Sequence, residues 1–427
     1  MSINFDEIAM DALRRMQGTR QNIFLTGKAW TGKSTLLRAF LEITDKQVVV
    51  LAPTGVAALN IWWQTIHSFF GFSVGVTVEE AKSNGKKIKK TKAGEHAIYF
   101  TDTIIIDEIS MVRADMMDCI DIFLQNALGN KMPFGGIQMI FVWDLFQLPP
   151  ILSYSDKAMF SSIYKAPYFF AAHVFRRPDM NFATIELEAV HRQSDPLFVE
   201  ILNAIRDKTV KSDHLANLNN RVVNDRQIED WVMYLTTKND KVDQINKEQL
   251  EKIDEEIYIN SANIKWKVSE KEFPTDMHLA LKVGAQVMFV NNDPHERWVN
   301  GSLGKIKDID DDVIIVDIYD GETVEVSSFR RNINKYTYDP IEKKLSSDNI
   351  WSFEQLPIRL CRACTIHKSQ GKTFDKVIVD LSGGVFAHGQ TYVAISRCTS
   401  LEWLSLVSPV QHHHIIVDDS VIEFFRQ

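Results

Sequence analysis

Two parallel α/β domains are what this sequence predicts, with a β-rich insertion in the second. Three observations carry that prediction. Apolar runs of strand length at Asn22–Leu25, Lys46–Ala52, Thr103–Ile106 and Gln138–Val142 alternate with stretches of helical spacing. Each run delivers glycine or polar residues at its end: Gly27, Pro53-Thr54-Gly55, Asp107-Glu108 and Trp143-Asp144. In a parallel sheet those ends share one edge, and that edge is where a site is built. After about Pro178 the pattern restarts, with strand-like runs at Trp231–Leu235, Val377–Leu381 and Leu404–Val407.

Taken in order, Phe5–Gln17 has helical spacing, with Ile8, Ala12, Leu13 and Met16 on its apolar face. Residues 71–96 change character: Lys82, Lys86, Lys87, Lys89, Lys90 and Lys92 cluster around glycines, as a solvated loop or as a small arm near nucleic acid. Met111–Leu128 reads as a helix, broken at Pro133-Phe134-Gly135-Gly136. Gly284–Tyr319 holds short alternating strands with turns at Asn300-Gly301 and Asp310-Asp311, the pattern of a small β-barrel. These readings divide the chain into residues 1–182, with an inserted arm at about 64–97, and 183–427, with a barrel-like insertion at about 284–357.

The 427 residues are 45% hydrophobic and 24% charged, a composition that fits a soluble chain of more than one domain. No apolar run approaches the roughly 18 residues of a membrane span, and the N-terminus lacks a basic flank followed by an apolar core. Four cysteines argue for a reducing, cytoplasmic setting over a disulfide framework. A formal charge of −8 leaves nucleic-acid binding open, because phosphate contact needs only a local basic groove.

The chemistry begins at Asn22–Leu37, where Gly27, Gly32, Lys33 and Ser34 satisfy G-x-x-x-x-G-K-[ST] between a strand and a helix. Backbone N–H groups there form an anion nest. Lys33 is suited to reach the β- and γ-phosphates of a nucleotide and the Ser34 hydroxyl to hold Mg²⁺. Asp107 can orient the Mg²⁺ shell and Glu108 can polarise an attacking water. Gln147, in D-L-F-Q-L-P-P, can position that water, and Arg192 and Arg397 are candidate arginine fingers. The Cys361-x-x-Cys364-x-x-His367 spacing superficially suits zinc, but no second ligand pair follows. His412-His413-His414 reads as an exposed turn.

Ten segments then fall into a recognisable order: G-K-A-W-T-G-K-S, L-A-P-T-G-V-A-A, T-I-H-S-F-F, I-D-E-I-S-M, P-F-G-G-I-Q, D-L-F-Q-L-P-P, H-R-Q, V-N-G-S-L-G, I-H-K-S-Q-G-K-T-F and Y-V-A-I-S-R-C-T-S. Over Ile23–Ser400 the chain resembles the petite-integration-frequency (Pif) DNA helicases, superfamily-one proteins related to the RecD type. The resemblance implies two RecA-like P-loop NTPase domains closing on ATP and Mg²⁺. It also implies 5′-to-3′ movement on single-stranded DNA, unwinding of forked or structured DNA, and work in repair, recombination and telomere maintenance. A monomer is expected. Carried over, the nucleotide site comprises Gly27, Thr31, Gly32, Lys33, Ser34, Thr35 and Asp107, served by Glu108, Gln147, Arg192 and Arg397. The DNA-contacting set comprises Pro53, Thr54, His67, Thr237, Lys238, Asn300, His367 and Ser369.

Departures from the family pattern are also specific. Tryptophan stands where the family has glycine at Trp30, at Trp143 and at the Trp62-Trp63 pair. An indole at position 30 must either point out of the loop or take nucleotide space, and Trp62-Trp63 is an apolar anchor or a base-stacking platform. The family's adenine-reading glutamine has no clear counterpart, Gln17 being the nearest. A competing expectation follows: a DNA-binding protein on the same fold, with hydrolysis impaired through Trp30 and Trp143. A P-loop motor acting on RNA is the third.

Overall fold

Six parallel strands organise the first half of the computed structural model, which describes residues 5–53, 64–73, 75–91, 96–152, 154–188, 195–223, 229–265, 275–310, 313–319, 321–339 and 344–426. In spatial order these strands are Gln64–Thr65, Val48–Ala52, Thr103–Asp107, Gln138–Val142, Asn22–Gly27 and Phe182–Leu187. All neighbours pair parallel, so Gly27, Asp107 and Trp143-Asp144 leave the sheet at one edge. The central strands are buried throughout and apolar at their centres, because apolar cores lie on both faces of the sheet. Phe182–Leu187 pairs residue for residue with Asn22–Gly27, so the first sheet runs beyond the division expected at residue 182. A strand at the end of the first domain carries little alternation, which is why sequence alone assigned it onward.

The opening helix is Glu7–Gly18, capped by Asp6, whose carboxylate accepts from the Ala9 N–H at 2.7 Å. It buries Ala9, Ala12, Leu13 and Met16, while Ile8 faces outward in place of Ala9. The lysine-rich segment is neither a loop nor a protruding arm. Val78–Thr91 is a helix packed on the helix Ala114–Leu128. Gly85 permits the crossing, since a Cβ there would lie 2.5 Å from the Phe123 carbonyl. Among its lysines, Lys92 lies outside the described residues.

A second parallel sheet orders Ala363–Thr365, Val232–Thr236, Lys376–Asp380 and Leu404–Leu406. Where a barrel was expected, the described residues form an antiparallel sheet of five strands. Its order is Thr323–Ser327, Val313–Ile318, Leu303–Asp310, Gln286–Phe289 and Ile358–Leu360, with its own core around Val287, Phe289, Trp298, Ile306 and Val316. From it a long hairpin, Phe329–Asp339 and Lys344–Gln355, reaches the first domain at Gln64–Thr65, Ile66–Phe70 and Ala97–Phe100. The last helix, Asp419–Phe425, returns to the first domain and packs Phe424 and Phe425 against Phe24, Phe169 and Phe170. No described helix is long and apolar enough to cross a membrane.

Candidate functional site

Between the two sheets lies a cavity of about 500 Å³, a size suited to a nucleotide. The loop after Asn22–Gly27 forms its floor. Gly27 must lack a side chain, because a Cβ would stand 2.6 Å from both the Leu187 carbonyl and Thr31 Oγ1. Gly32, at φ +81°, turns the chain into the helix Lys33–Ile43. Thr31, Gly32, Lys33, Ser34 and Thr35 line the cavity, and Thr31 Oγ1 donates to the Lys28 carbonyl at 3.0 Å. The Lys33 ammonium donates to the carbonyls of Gly27 and Lys28 at 2.7 and 2.8 Å. Burial pulls it down to about 8, against the attraction of Asp144.

Asp107 ends Thr103–Asp107, and Glu108 follows in left-handed backbone at φ +53°. Burial pushes Asp107 up to about 6, opposed by its bond from the Glu108 N–H and by Lys33. Glu108 is driven up to about 8, first by burial and then by the neighbouring Asp107. Gln147 lines the cavity, and its buried Oε1 has no hydrogen-bond partner. Such an acceptor is aimed at something other than protein.

The second domain supplies the opposite wall. Arg397 lines the cavity and is fixed by three bonds: Nε to Val393 O, Nη1 to Lys372 O and Nη2 to Ser396 Oγ, at 3.0, 2.9 and 2.9 Å. Burial lowers this guanidinium to about 10. Tyr392 accepts from the Ala29 N–H of the phosphate loop at 3.1 Å. Gly389 lets the helix Gln390–Ile395 start against the first domain, since a Cβ there would meet the carbonyls of Phe146 and Gln147 at 2.2 and 2.7 Å.

Arg192 and Thr54, together with Trp62-Trp63, lie outside the described residues. Gln17 is remote from the cavity; its amide donates to the Ile43 carbonyl. Phe5, Asp6 and Ala9 occupy the cavity's far end instead, a contribution that no motif announces.

Both tryptophans reach the cavity, by different means. Trp30 adopts φ +64°, and its Nε1–H points to Thr373 Oγ1 of the second domain at 3.4 Å. Trp143 has no such backbone strain. It is buried, with an indole N–H that finds no partner.

Of the residues expected at DNA, Pro53, Thr237, Lys238, His367 and Ser369 follow strands of the two parallel sheets, while His67 lies in a helix and Asn300 in a turn of the five-stranded sheet. Pro53 follows Val48–Ala52, and half-buried His67 lies in the short helix Ile66–Phe70. Buried Thr237 and exposed Lys238 follow Val232–Thr236, beneath Gly383, where a Cβ would approach Thr237 Oγ1 to 2.6 Å. The His367 ring lies nearly parallel to that of Phe386, at 16° and 6.4 Å between centroids. Phe386 is 66% exposed and was missed by sequence reasoning; an aromatic between two glycine-bearing turns, V-F-A beside G-G and H-G, was the available signal. Ser369 is fully buried, and its hydroxyl donates to the Ile366 carbonyl at 2.8 Å, so it shapes the turn and offers no surface. Asn300 Oδ1 accepts from Lys372 Nζ at 2.6 Å. Cys361 and Cys364 are free and buried.

Comparison with known proteins gives a consistent result. Residues 4–215 match the model of the PIF1-like helicase family. The chain is 33% identical to the ATP-dependent DNA helicase Pif1 of Bdellovibrio bacteriovorus, over 98% of this chain and 90% of that one. Its structure is similar to that of Pif1 from Bacteroides in complex with ADP-AlF4, with a TM-score of 0.88 at 34% identity, covering 100% of this chain and 97% of that chain. The same helicase bound to single-stranded DNA gives a TM-score of 0.73 over 100% and 97% of the two chains. A further structure of two coordinating Pif1 helicases at forked DNA gives 0.72 over 99% and 97%.

Proposed function

We propose the following function for this chain, which belongs to the PIF1-like helicase family: it is an ATP-dependent DNA helicase. It moves 5′ to 3′ on single-stranded DNA and opens forked or structured duplex, drawing on ATP held between its two RecA-like domains. What supports this reading is the convergence on one cavity of the loop residues Thr31–Thr35, of Gln147 and of Arg397 from the opposite domain.

Each group has a task that its surroundings suit. Backbone N–H groups from Gly32 to Thr35 cradle phosphate at a helix N-terminus. Lys33 leaves its loop carbonyls for the β- and γ-phosphates. Glu108, whose raised value makes its ionised form a stronger base, accepts the proton of the attacking water as the carboxylate, and Gln147 Oε1 orients that water. Arg397, preset by its three bonds, neutralises charge growing on the γ-phosphate, with Arg192 as the second finger. Mg²⁺ would be held by the exposed Ser34 hydroxyl and by Asp107, whose buried carboxylate beside Lys33 is short of positive charge. Among the described residues no trio of acidic, His or Cys ligands gathers for a metal, as suits an ion that takes much of its shell from phosphate and water. When bound, it neutralises the phosphates and aligns them.

On the DNA side, Lys238 supplies charge to phosphates, while Thr237, His367 and Pro53 shape the track and Phe386 offers a face on which a base stacks. His67 and Asn300 extend that track, and the buried Ser369 supports it. The chain acts as a monomer. A second reading rests on Trp30: an indole in the cavity wall favours a DNA-binding protein with weakened hydrolysis.

Phosphate release measured with and without single-stranded DNA decides between them. The helicase reading expects strong stimulation by DNA, and Glu108→Gln is expected to abolish turnover while nucleotide and DNA still bind. Hydrolysis that ignores DNA, or that survives in Glu108→Gln, overturns the assignment; a preference for RNA strands replaces the substrate.

A further inference from the structure

One lysine of the I-H-K-S-Q-G-K-T-F segment, Lys372, has no role among the site residues above, yet it joins the two halves of the proposed machine. Lys372 stands in the turn after Ala363–Thr365, and its stem lies along the turn Asn300-Gly301 of the β-rich insertion. A Cβ added at Gly301 would come within 3.3 Å of Lys372 Cγ, so glycine is what lets the lysine pass. Its ammonium donates to Asn300 Oδ1 at 2.6 Å. Its own carbonyl accepts from Arg397 Nη1 at 2.9 Å. The preceding residue, Gly371, faces the nucleotide side, where a Cβ would sit 3.6 Å from Glu108 Oε1. Asn300 is itself fixed, its N–H donating to Asn292 Oδ1 at 2.8 Å.

These contacts run in sequence from the Asn300 turn, through the Lys372 ammonium and backbone carbonyl, to the guanidinium of Arg397. The side chain is half-buried, and burial lowers the ammonium to about 8, so it keeps most of its charge at neutral pH. A half-buried, charge-assisted hydrogen bond holds its partner more firmly than a fully exposed one.

We propose that Lys372 is a positioning residue that couples the Asn300 turn to Arg397, and so sets how strongly DNA accelerates ATP turnover. The inference rests on the helicase reading above. Coupling between two sites is commonly worth a factor of roughly 5 to 150.

The test is Lys372→Met, which keeps the length of the stem and the backbone carbonyl to Arg397 while removing the donor and the charge. ATP turnover is measured with and without an oligothymidine strand, alongside the Kd for that strand and the KM for ATP. Turnover without DNA is expected to stay within about twofold of the parent, and stimulation by DNA to fall about tenfold, a loss confined to kcat. In a double-mutant cycle read as kcat at saturating strand, where any change in DNA affinity drops out, adding Asn300→Leu is expected to cost no further stimulation, because the two side chains act through one bond. Asn300→Asp, which keeps an acceptor for the ammonium, is expected to retain stimulation.

Stimulation intact in Lys372→Met, additive losses in the cycle, or an equal fall with and without DNA each overturn the proposal. A parent chain whose turnover ignores DNA overturns the helicase reading and this one together. A stimulated parent with an equally stimulated Lys372→Met overturns this one alone.

Discussion

Trp30 holds the left-handed backbone that glycine adopts freely, at φ +64° in the middle of the phosphate loop. For an indole-bearing residue that conformation costs on the order of 1–3 kcal/mol. The side chain recovers part of this by packing between the domains and directing its N–H to Thr373. It does so in the wall of the cavity, beside Ala29 and Thr31, where the proposed nucleotide would sit. Trp30→Gly is therefore expected to lower the KM for ATP about tenfold, ~1.4 kcal/mol in binding, and to raise turnover. Steady-state kinetics on parent and variant check this; an unchanged or higher KM would mean that the indole stands clear of the nucleotide. Trp143 presents a different problem at the same scale. Its cost is a buried N–H without a partner, about 1–3 kcal/mol, which the nucleotide can relieve only by offering an acceptor. Sequence reasoning expected both positions to matter because glycine is normal there. It could not foresee that one is a backbone problem and the other a hydrogen-bond problem, since φ is set by the surrounding fold.

At the element scale, strand ends do the work, and Lys376–Asp380 shows how such an end is held. Asp380 is fully buried and accepts from Tyr234 Oη at 2.6 Å, from the Ser382 N–H at 2.9 Å and from Lys241. Burial alone would raise its carboxyl, but these donors outweigh it and hold the group down to about 2. A depressed native value contributes stability that is complete above the unfolded carboxyl range, near 3.9, and is lost as pH falls toward about 2. Asp380→Asn is expected to cost ~2 kcal/mol at neutral pH, since charge-assisted bonds become neutral ones, and to flatten the acid limb of the stability curve. Thermal melts from pH 7 down to pH 2 check it; a parent and variant that lose stability in parallel would remove Asp380 from the account. The same bonds fix the turn at Ser382-Gly383 over Thr237, so the carboxylate orders the proposed DNA track as well. The lysine-rich helix Val78–Thr91 teaches the complementary lesson. Its charges suggested a solvated arm, yet Ala81 and Gly85 supply the contact to Ala114–Leu128. A helix that packs through alanine and glycine shows little hydrophobic signal in sequence.

At the scale of the whole molecule, the two sheets are joined by more than the linker between them. The final helix lays Phe424 flat on Phe170, with centroids 4.4 Å apart at 16°, and edge-on to Phe24 of the phosphate-loop strand. Asp418 binds Tyr168 Oη at 3.2 Å and donates its N–H to His388 Nδ1 at 2.9 Å, while His388 Nε2 meets the Leu145 carbonyl at 2.7 Å. Chain ends and motif segments thus share one seam. Phe424→Ala is expected to destabilise the protein by ~3 kcal/mol, because a large ring is removed from an apolar contact that cannot fully collapse. A drop of several degrees in the melting midpoint would register this; an unmoved midpoint would show the seam to be dispensable.

By itself, the sequence determined what depends on local pattern. Strand, glycine loop and helix follow in order at Asn22–Ile43, and Asp107-Glu108 ends a buried strand. The order of ten motifs was enough for the family, because each motif is a local run of residues that can be read along the chain without knowing the fold. Tertiary structure decided what depends on approach through space. It brought Arg397 to the loop from 364 residues away in sequence, set Gly389 against Gln147, placed Phe386 beside His367, and buried Ser369. It also linked Lys372 to Asn300, a pairing across 72 residues that no periodicity encodes. Distances between segments arise from packing, and packing is a property of the assembled chain.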